Sequence, residues 1–326
     1  MVGEWVRTDP KAKARFLTLF AIPLCGVIAY TLVRHANHGF SKQAGHWVMK
    51  PFFKDHTSYG AVIAMMLPPV IAMAWRTNQS SLARVLWSMC TGWLALGIVF
   101  SFTRAAWVSL AAAGVLWVLM LAGVRFKALI VGGLGALLVL TFSWDSLVIQ
   151  LERNNQDSSD DLAKHVESIS NVSSDASNLE RLNRWSCAWA MFLERPIAGW
   201  GPGTYQFEYA PFQTAALRTK ISTNNADLGN AHSEYLGPLA EQGVLGFMSM
   251  VALLLAACQL GFKLHHTLTD PNERALALGL FLGLVTYFVH GVLNNYLDTD
   301  KASAPFWGFL AMLVVMDIQS TRKTND

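Results

Sequence analysis

His232 is the residue best suited to proton transfer in this chain. It lies in the sequence NAHSEYL at 230–236, at the start of a long apolar run. Its imidazole gains or loses a proton near neutral pH, as a general base must. A histidine at such a position can also be a hydrogen-bonded residue of the membrane surface without a catalytic role. The residue type alone leaves both interpretations open.

Three arginines could bind an anion near a membrane surface. Arg104 interrupts the apolar sequence SFTRAAW, where a charge is costly unless it has a partner or serves as an interfacial anchor. Arg181 and Arg184 are three residues apart and share one helix face. Arginine holds phosphate through paired hydrogen bonds, so this pair suits a lipid diphosphate. Glu180 and Glu194 are the alternative partners for the two arginines.

The remaining motifs give weaker signals. Glycines at 199, 201 and 203 indicate a tight turn, but they do not form the GxGxxG nucleotide motif, and no Walker A or GxSxG sequence is present. Asp298 and Asp300 form a DxD pattern of the kind that holds a metal ion in some sugar-transfer enzymes. A lone DxD arises often by chance, and the chain has no HExxH or CxxC motif. We therefore expect no bound metal and no cofactor.

The composition indicates a membrane protein. Hydrophobic residues make up 53% of the 326 positions and charged residues 14%, against about 25% in an average soluble domain. The sequence predicts an all-α integral membrane protein, a polytopic bundle of about eight transmembrane helices with one large external loop containing amphipathic helices. The net charge is only +3 and the basic residues are scattered along the chain, so nucleic acid is not an expected partner. The predicted spans lie near 16–33, 58–75, 85–103, 105–123, 128–144, 233–262, 276–295 and 304–316.

The lysines and arginines of the short loops orient the chain, because such loops are enriched in these residues on the cytoplasmic side. Both termini are therefore expected in the cytoplasm. The predicted organisation is five spans, an external loop domain and three further spans, at 1–144, 145–232 and 233–326. Within the loop, 154–179 is rich in Ser, Asn and Asp and is expected to be flexible. The segment 182–194 is predicted to be an amphipathic helix.

Several of these motifs together resemble the bacterial O-antigen ligase and polymerase superfamily, and O-antigen ligase most closely. The motifs are SFTRAAW, R-x-x-x-W from Arg181 to Trp185, P-x-x-G-x-G-x-G at 196–203, H-S-E-x-L from His232, and EQG at 241–243. Their order and spacing match, and the similarity runs from about Pro51 to the C-terminal helix. Family members usually carry about ten to twelve spans, so this chain, with about eight, is a short member or lacks N-terminal helices.

The resemblance implies metal-independent glycosyl transfer at the periplasmic face of the bacterial inner membrane. A glycan would move from a polyprenyl-diphosphate carrier to a hydroxyl acceptor, most simply O-antigen onto lipid A core. A repeat-unit polymerase and a protein O-oligosaccharyltransferase are alternatives within the same chemistry. A lipid or solute transporter is the alternative from another class, prompted by Pro68, Pro69 and His290 inside predicted spans.

The resemblance also implies roles for individual residues. His232 would be the general base, and Arg181 and Arg104 would stabilise the diphosphate leaving group. The implied substrate-binding residues are Arg184, Glu234, Tyr235, Glu241 and Trp200. The expected partners are the lipid-linked donor, the hydroxyl acceptor and membrane lipids.

The predicted orientation can be tested by labelling single cysteines in intact cells. We expect a cysteine at Ser159 to react with an impermeant reagent from outside, and a cysteine at Arg125 to react only after the inner face is opened. The reverse pattern would contradict the placement of the loop domain.

Overall fold

The computed structural model describes residues 2–142, 176–215, 217, 218, 222 and 229–325. These residues form helices and connections, without a strand among them. The helices are α1 Val2–Thr8, α2 Ala12–Ala36, α3 Lys42–Gly45, α4 His56–Ala74, α5 Ser81–Val99, α6 Arg104–Leu121, α7 Phe126–Phe142, α8 Ala176–Glu194, α9 Tyr205–Glu208, α10 Leu236–Thr267, α11 Pro271–His290 and α12 Asp300–Asn325, with a 3-10 turn at Ala210–Phe212.

Seven helices in the described part of the chain are long and apolar enough to cross a membrane. They are α2, α4, α5, α6, α10, α11 and α12. The prediction of an all-α polytopic membrane protein is therefore confirmed. The fifth predicted span corresponds to α7, which at 17 residues lies at the short end of the lengths that cross a bilayer.

Some predicted span limits were wrong. The third span was expected to continue to 103, but α5 ends at Val99, and Phe102 takes a positive φ of 50° that is incompatible with a helix through 103. The seventh was expected to continue to 295, but α11 ends at His290 and a non-helical connection follows. Pro68 and Pro69 do not break their span, since α4 continues past both.

The chain divides into two compact units. The first contains 1–123, 254–290 and 296–326, and the second contains 124–253 and 291–295. In the first unit α4 is mostly buried and packs against α5, α6 and α11. The three-segment division predicted from the sequence concerns membrane topology and stays a prediction.

The second unit has its own small core around α8. The core consists of residues from α8, α9 and the segment around the start of α10, namely Cys187, Ala188, Met191, Tyr205, Tyr209, Ala231 and Ala240. The predicted amphipathic helix 182–194 ends at Glu194 as expected, but it begins earlier, at Ala176. The last four residues of the tract expected to be flexible, 176–179, are therefore helical, while 154–175 lies outside the described residues.

Two cysteines report on the packing of α2 against α5. The Sγ atoms of Cys25 and Cys90 lie 3.3 Å apart, and a disulfide needs them to approach to about 2.05 Å. We expect a membrane-permeant oxidant such as copper phenanthroline to join the two thiols with loss of two hydrogens. Intact-mass measurement and the loss of maleimide labelling after denaturation would detect the bond.

Cys25→Ser is the matched control, because it leaves Cys90 without its neighbouring thiol. Full maleimide labelling of both cysteines after oxidation of the unmodified chain would contradict this packing of α2 against α5.

Candidate active site

His232 occupies a strained position at the end of the segment that leads into α10. Its φ is +48°, a left-handed conformation that residues other than glycine rarely adopt. Its backbone N–H donates to Asn230 Oδ1 at 3.1 Å, and its carbonyl accepts from Trp185 Nε1 at 3.3 Å. Such strained residues cluster at active sites, where the surrounding contacts maintain them. The His232 side chain is partly buried.

One face of α8 supplies two of the contacts that shape this site. Arg181 and Trp185 are four residues apart, so they lie one above the other on the helix. Arg181 Nε donates to the Leu293 carbonyl at 3.2 Å, while Trp185 donates to the His232 carbonyl. The R-x-x-x-W spacing therefore places a cation and the support for His232 side by side.

The connection 291–295 contacts both α8 and the segment that contains His232 and Glu234. The backbone N–H of Glu234 donates to the Gly291 carbonyl at 2.7 Å, and Glu234 itself is buried. Arg181 and the backbone of Glu234 thus both contact a segment that the sequence predicts to belong to a membrane span, and His232 lies two residues before Glu234. The sequence feature that could have indicated this non-helical connection is the adjacent pair Asn294 and Asn295, two amide side chains at the end of an apolar run.

Arg184 lies in a different environment from Arg181. Its Nε lies 2.7 Å from Glu180 Oε1, its side chain is 3% exposed, and its guanidinium lies 4.2 Å from the Tyr209 ring centre. Of the two alternative partners considered from the sequence, Glu180 is the one that pairs with Arg184. Binding of substrate by Arg184 stays a prediction, and these contacts favour a structural role because opening a buried ion pair is expensive.

The buried surroundings of Arg184 include Tyr205. Burial raises the pKa of the Tyr205 phenol well above its ordinary value, so the hydroxyl stays protonated. It donates to the Arg184 carbonyl at 2.8 Å, and its ring stacks on Tyr209 at 5.3 Å. Glu180 also accepts from the Ser222 hydroxyl, which ties α8 to that residue of the loop.

The glycine-rich turn and the EQG motif interlock through their backbones. A Cβ on Gly199 would collide with the backbone of Glu241, and a Cβ on Gly243 would collide with that of Ile197. Both glycines have positive φ, 66° and 65°, and Gly243 also has a ψ of −157° that is almost restricted to glycine. Gly243 kinks α10, and Val244 N–H then donates to the Pro196 carbonyl at 2.8 Å.

The Glu241 carboxylate holds the far end of the same turn. Its Oε2 accepts from Gly203 N–H at 2.9 Å and its Oε1 from Tyr205 N–H at 3.0 Å. The Trp200 indole N–H donates to the Met191 carbonyl at 3.0 Å. Substrate binding by Glu241 and Trp200 stays a prediction, as it does for the partly buried Tyr235, and the observed contacts assign the first two a supporting role.

Arg104 lies in the first unit, at the first residue of α6. The preceding Thr103 donates its hydroxyl to the His56 carbonyl at 2.7 Å, so the turn before α6 is tied to the start of α4. The Arg104 side chain is partly buried. Its sharing of a substrate with Arg181 and His232 stays a prediction.

The DxD motif lies on exposed chain before and at the start of α12. In the ranges that the structure describes, no three His, Cys, Asp or Glu residues are grouped so that they could hold a metal ion. Metal independence stays a prediction that needs a measurement.

Comparison with known families adds the deciding observation. A family model described as O-antigen ligase matches residues 89–251, half of the chain. The chain belongs to the O-antigen ligase family. The part of this O-antigen ligase family member that the model matches includes Arg104, Arg181, His232 and Glu241. The 291–295 connection lies outside the matched residues. Comparison with curated proteins finds no match.

Members of the O-antigen ligase family are glycosyltransferase-like ligases that use lipid-linked glycans and acceptors. Together with the apolar helices, the family makes this chain a multi-pass membrane protein and an enzyme of that general class.

The interlock of the glycine turn can be tested at Glu241. In Glu241→Ala, the amides of Gly203 and Tyr205 lose their acceptor, and hydrogen bonds to a charged group are worth about 1.5–3 kcal/mol. We expect both amides to exchange with deuterium roughly 10- to 100-fold faster, measured by mass spectrometry of peptides from 199–208.

Glu194→Ala is the control, because it removes an exposed carboxylate at the end of α8. Equal exchange at 203 and 205 in the Glu241 variant and the unmodified chain would show that the carboxylate does not hold the turn.

Proposed function

We propose that this protein transfers a glycan from a polyprenyl-diphosphate carrier to a hydroxyl acceptor, with O-antigen as the glycan and lipid A core as the acceptor. The family supports glycosyl transfer in general. The observation that supports transfer from a diphosphate donor is the shared α8 face, on which Trp185 donates to the carbonyl of the strained His232 while Arg181 lies one turn away. The choice of O-antigen and lipid A core rests on the family resemblance. A base beside a cation is the pair of groups that transfer from a diphosphate requires.

In the proposed reaction, the acceptor hydroxyl oxygen attacks the anomeric carbon of the donor sugar. The bond between that carbon and the diphosphate oxygen breaks, and the electron pair leaves with the diphosphate. His232 takes the hydroxyl proton as the new bond forms. Hence the site has to supply one proton acceptor and positive charge for the leaving group.

Arg181 would provide that charge. Its Nε is directed at the Leu293 carbonyl, and this hydrogen bond limits the rotation of a long side chain. A guanidinium held in place before substrate binds stabilises developing negative charge without reorganising in the transition state. The proposal for Arg104 as a second contact to the diphosphate rests on the family resemblance.

The proposed location is the bacterial inner membrane, with both termini in the cytoplasm and the site facing the periplasm, as the loop lysines and arginines favour.

The acceptor distinguishes the ligase from the two alternatives within the same chemistry, the repeat-unit polymerase and the protein O-oligosaccharyltransferase. Reconstituted protein with one lipid-linked donor should be offered lipid A core, a glycan repeat and a pilin-like protein in parallel. Transfer to lipid A core alone would support the ligase, and transfer only to either of the other two would replace it.

The role of His232 is tested by single-turnover transfer in excess chelator, where transfer should continue in the unmodified protein. We expect His232→Ala to bind the donor normally but to lower the transfer rate by roughly 10²- to 10⁴-fold, the usual contribution of a positioned base. His266→Ala, at an exposed histidine of α10, is the matched control and should keep full activity.

Arg181→Ala should weaken donor binding as well as the rate, because its charge acts on the diphosphate in both the ground and the transition state. Arg181→Lys should recover only part of the activity, since it keeps the charge but loses the paired hydrogen bonds.

Near-normal turnover of well-folded His232→Ala would contradict the general-base role of His232. Loss of all transfer in excess chelator would show that the reaction requires a metal ion.

A further inference from the structure

An exposed apolar stripe, which the core does not use, runs from the outer side of α8 into the turn that follows it. Trp189 and Leu193 lie one helical turn apart on α8, and Ile197 lies in the turn after Pro196; they are 52%, 61% and 72% exposed. The opposite side of the helix, including Cys187 and Met191, is buried in the core of the second unit. Three large apolar side chains in one exposed row are unusual for a surface that meets water.

The stripe adjoins the beginning of a membrane span. Ile197 packs its backbone against Gly243, and the next residue, Val244, is hydrogen-bonded to Pro196. From there α10 continues as a helix long and apolar enough to cross a membrane. Its first turns also expose large apolar side chains, Val244 at 42%, Leu245 at 66% and Met248 at 55%. All of these residues belong to the second unit, so the two apolar surfaces are joined within one compact body.

We propose that the stripe Trp189, Leu193 and Ile197 is inserted into the lipid leaflet beside the start of the α10 span, with α8 lying in the membrane interface. Lipid is the occupant because the stripe ends at Ile197, whose backbone lies against Gly243, where the exposed apolar first turns of a helix long enough to cross a membrane begin. Tryptophan concentrates at the boundary between hydrocarbon and headgroups, where its ring is apolar and its N–H stays hydrated.

The polar residues at the end of α8 fit this placement. Glu194 and Arg195 are exposed beside the stripe, and the Arg195 guanidinium lies 3.8 Å from the Trp200 ring centre. A helix with an apolar stripe and charged neighbours is typical of segments that lie in the plane of the interface. The anchored helix is the one that carries Arg181 and Trp185, so lipid contact would set the height of the candidate site above the hydrocarbon. The inference requires only the membrane fold, and it stands independently of the glycosyl-transfer proposal.

Spin labels at single cysteines test the insertion in vesicles of phosphatidylethanolamine and phosphatidylglycerol. Labels at Leu193→Cys and Ile197→Cys should collide with oxygen several-fold more often, relative to a water-soluble nickel chelate, than a label at Glu194→Cys. Met248→Cys on α10 is the lipid-exposed reference, and Glu194→Cys is the control on the same helix. If replacing the four native cysteines prevents folding, brief labelling of these exposed positions in the native background gives the same comparison.

A collision ratio at 193 and 197 equal to that at 194 would show that water covers the stripe, and would overturn the proposal. Exclusion of both reagents with spin–spin broadening between chains would assign the stripe to a second copy of the protein, and would overturn it equally.

Discussion

The candidate site depends on two backbone carbonyls that accept hydrogen bonds from one face of α8. Trp185 donates to His232 O and Arg181 donates to Leu293 O, so a single rigid helix sets the positions of two segments that are far apart in the chain. Without the Trp185 contact, the left-handed conformation of His232 would have less support against relaxation to an ordinary φ. The geometry of the candidate site therefore depends on the position of α8, which the contacts on its other faces must fix.

Two further interactions hold α8 and the segments around it. Inside the second unit, the Glu180–Arg184 ion pair is buried beside Tyr209, and removing one partner of such a pair costs about 3–5 kcal/mol. Around the end of the helix, the glycine turn is clasped by Glu241 and by the kink at Gly243. Three motifs that look independent in the sequence thus form one connected support. This support leaves few residues, Arg181 and His232 among them, as candidates for the chemical step.

Arg181 and Arg184 illustrate how closely related positions diverge. Three residues along a helix separate side chains by about 60°, so the sequence placed both on one face and made both candidates for the substrate. Packing decides between them. Arg184 is directed into the core, where Glu180 and Tyr209 meet it, whereas Arg181 is directed at the 291–295 connection. A rotation this small cannot be read from periodicity, because the apolar positions of α8 define a face only to within about one residue.

The sequence by itself determined the features that depend on local order along the chain. Apolar runs of bilayer length predict the spans, Pro196 marks the end of α8 after Glu194, and the R-x-x-x-W spacing aligns Arg181 with Trp185. Only the tertiary structure decided what these residues meet. Glu241 lies 38 residues along the chain from Gly203, whose N–H donates to its carboxylate, and Leu293 lies 112 residues from Arg181. The end of α11 at His290 was hidden as well, since Val292 and Leu293 continue the apolar run after the helix stops. Contacts between distant segments arise from packing that local periodicity does not encode, so the sequence could propose residues for the candidate site but could not assign their partners.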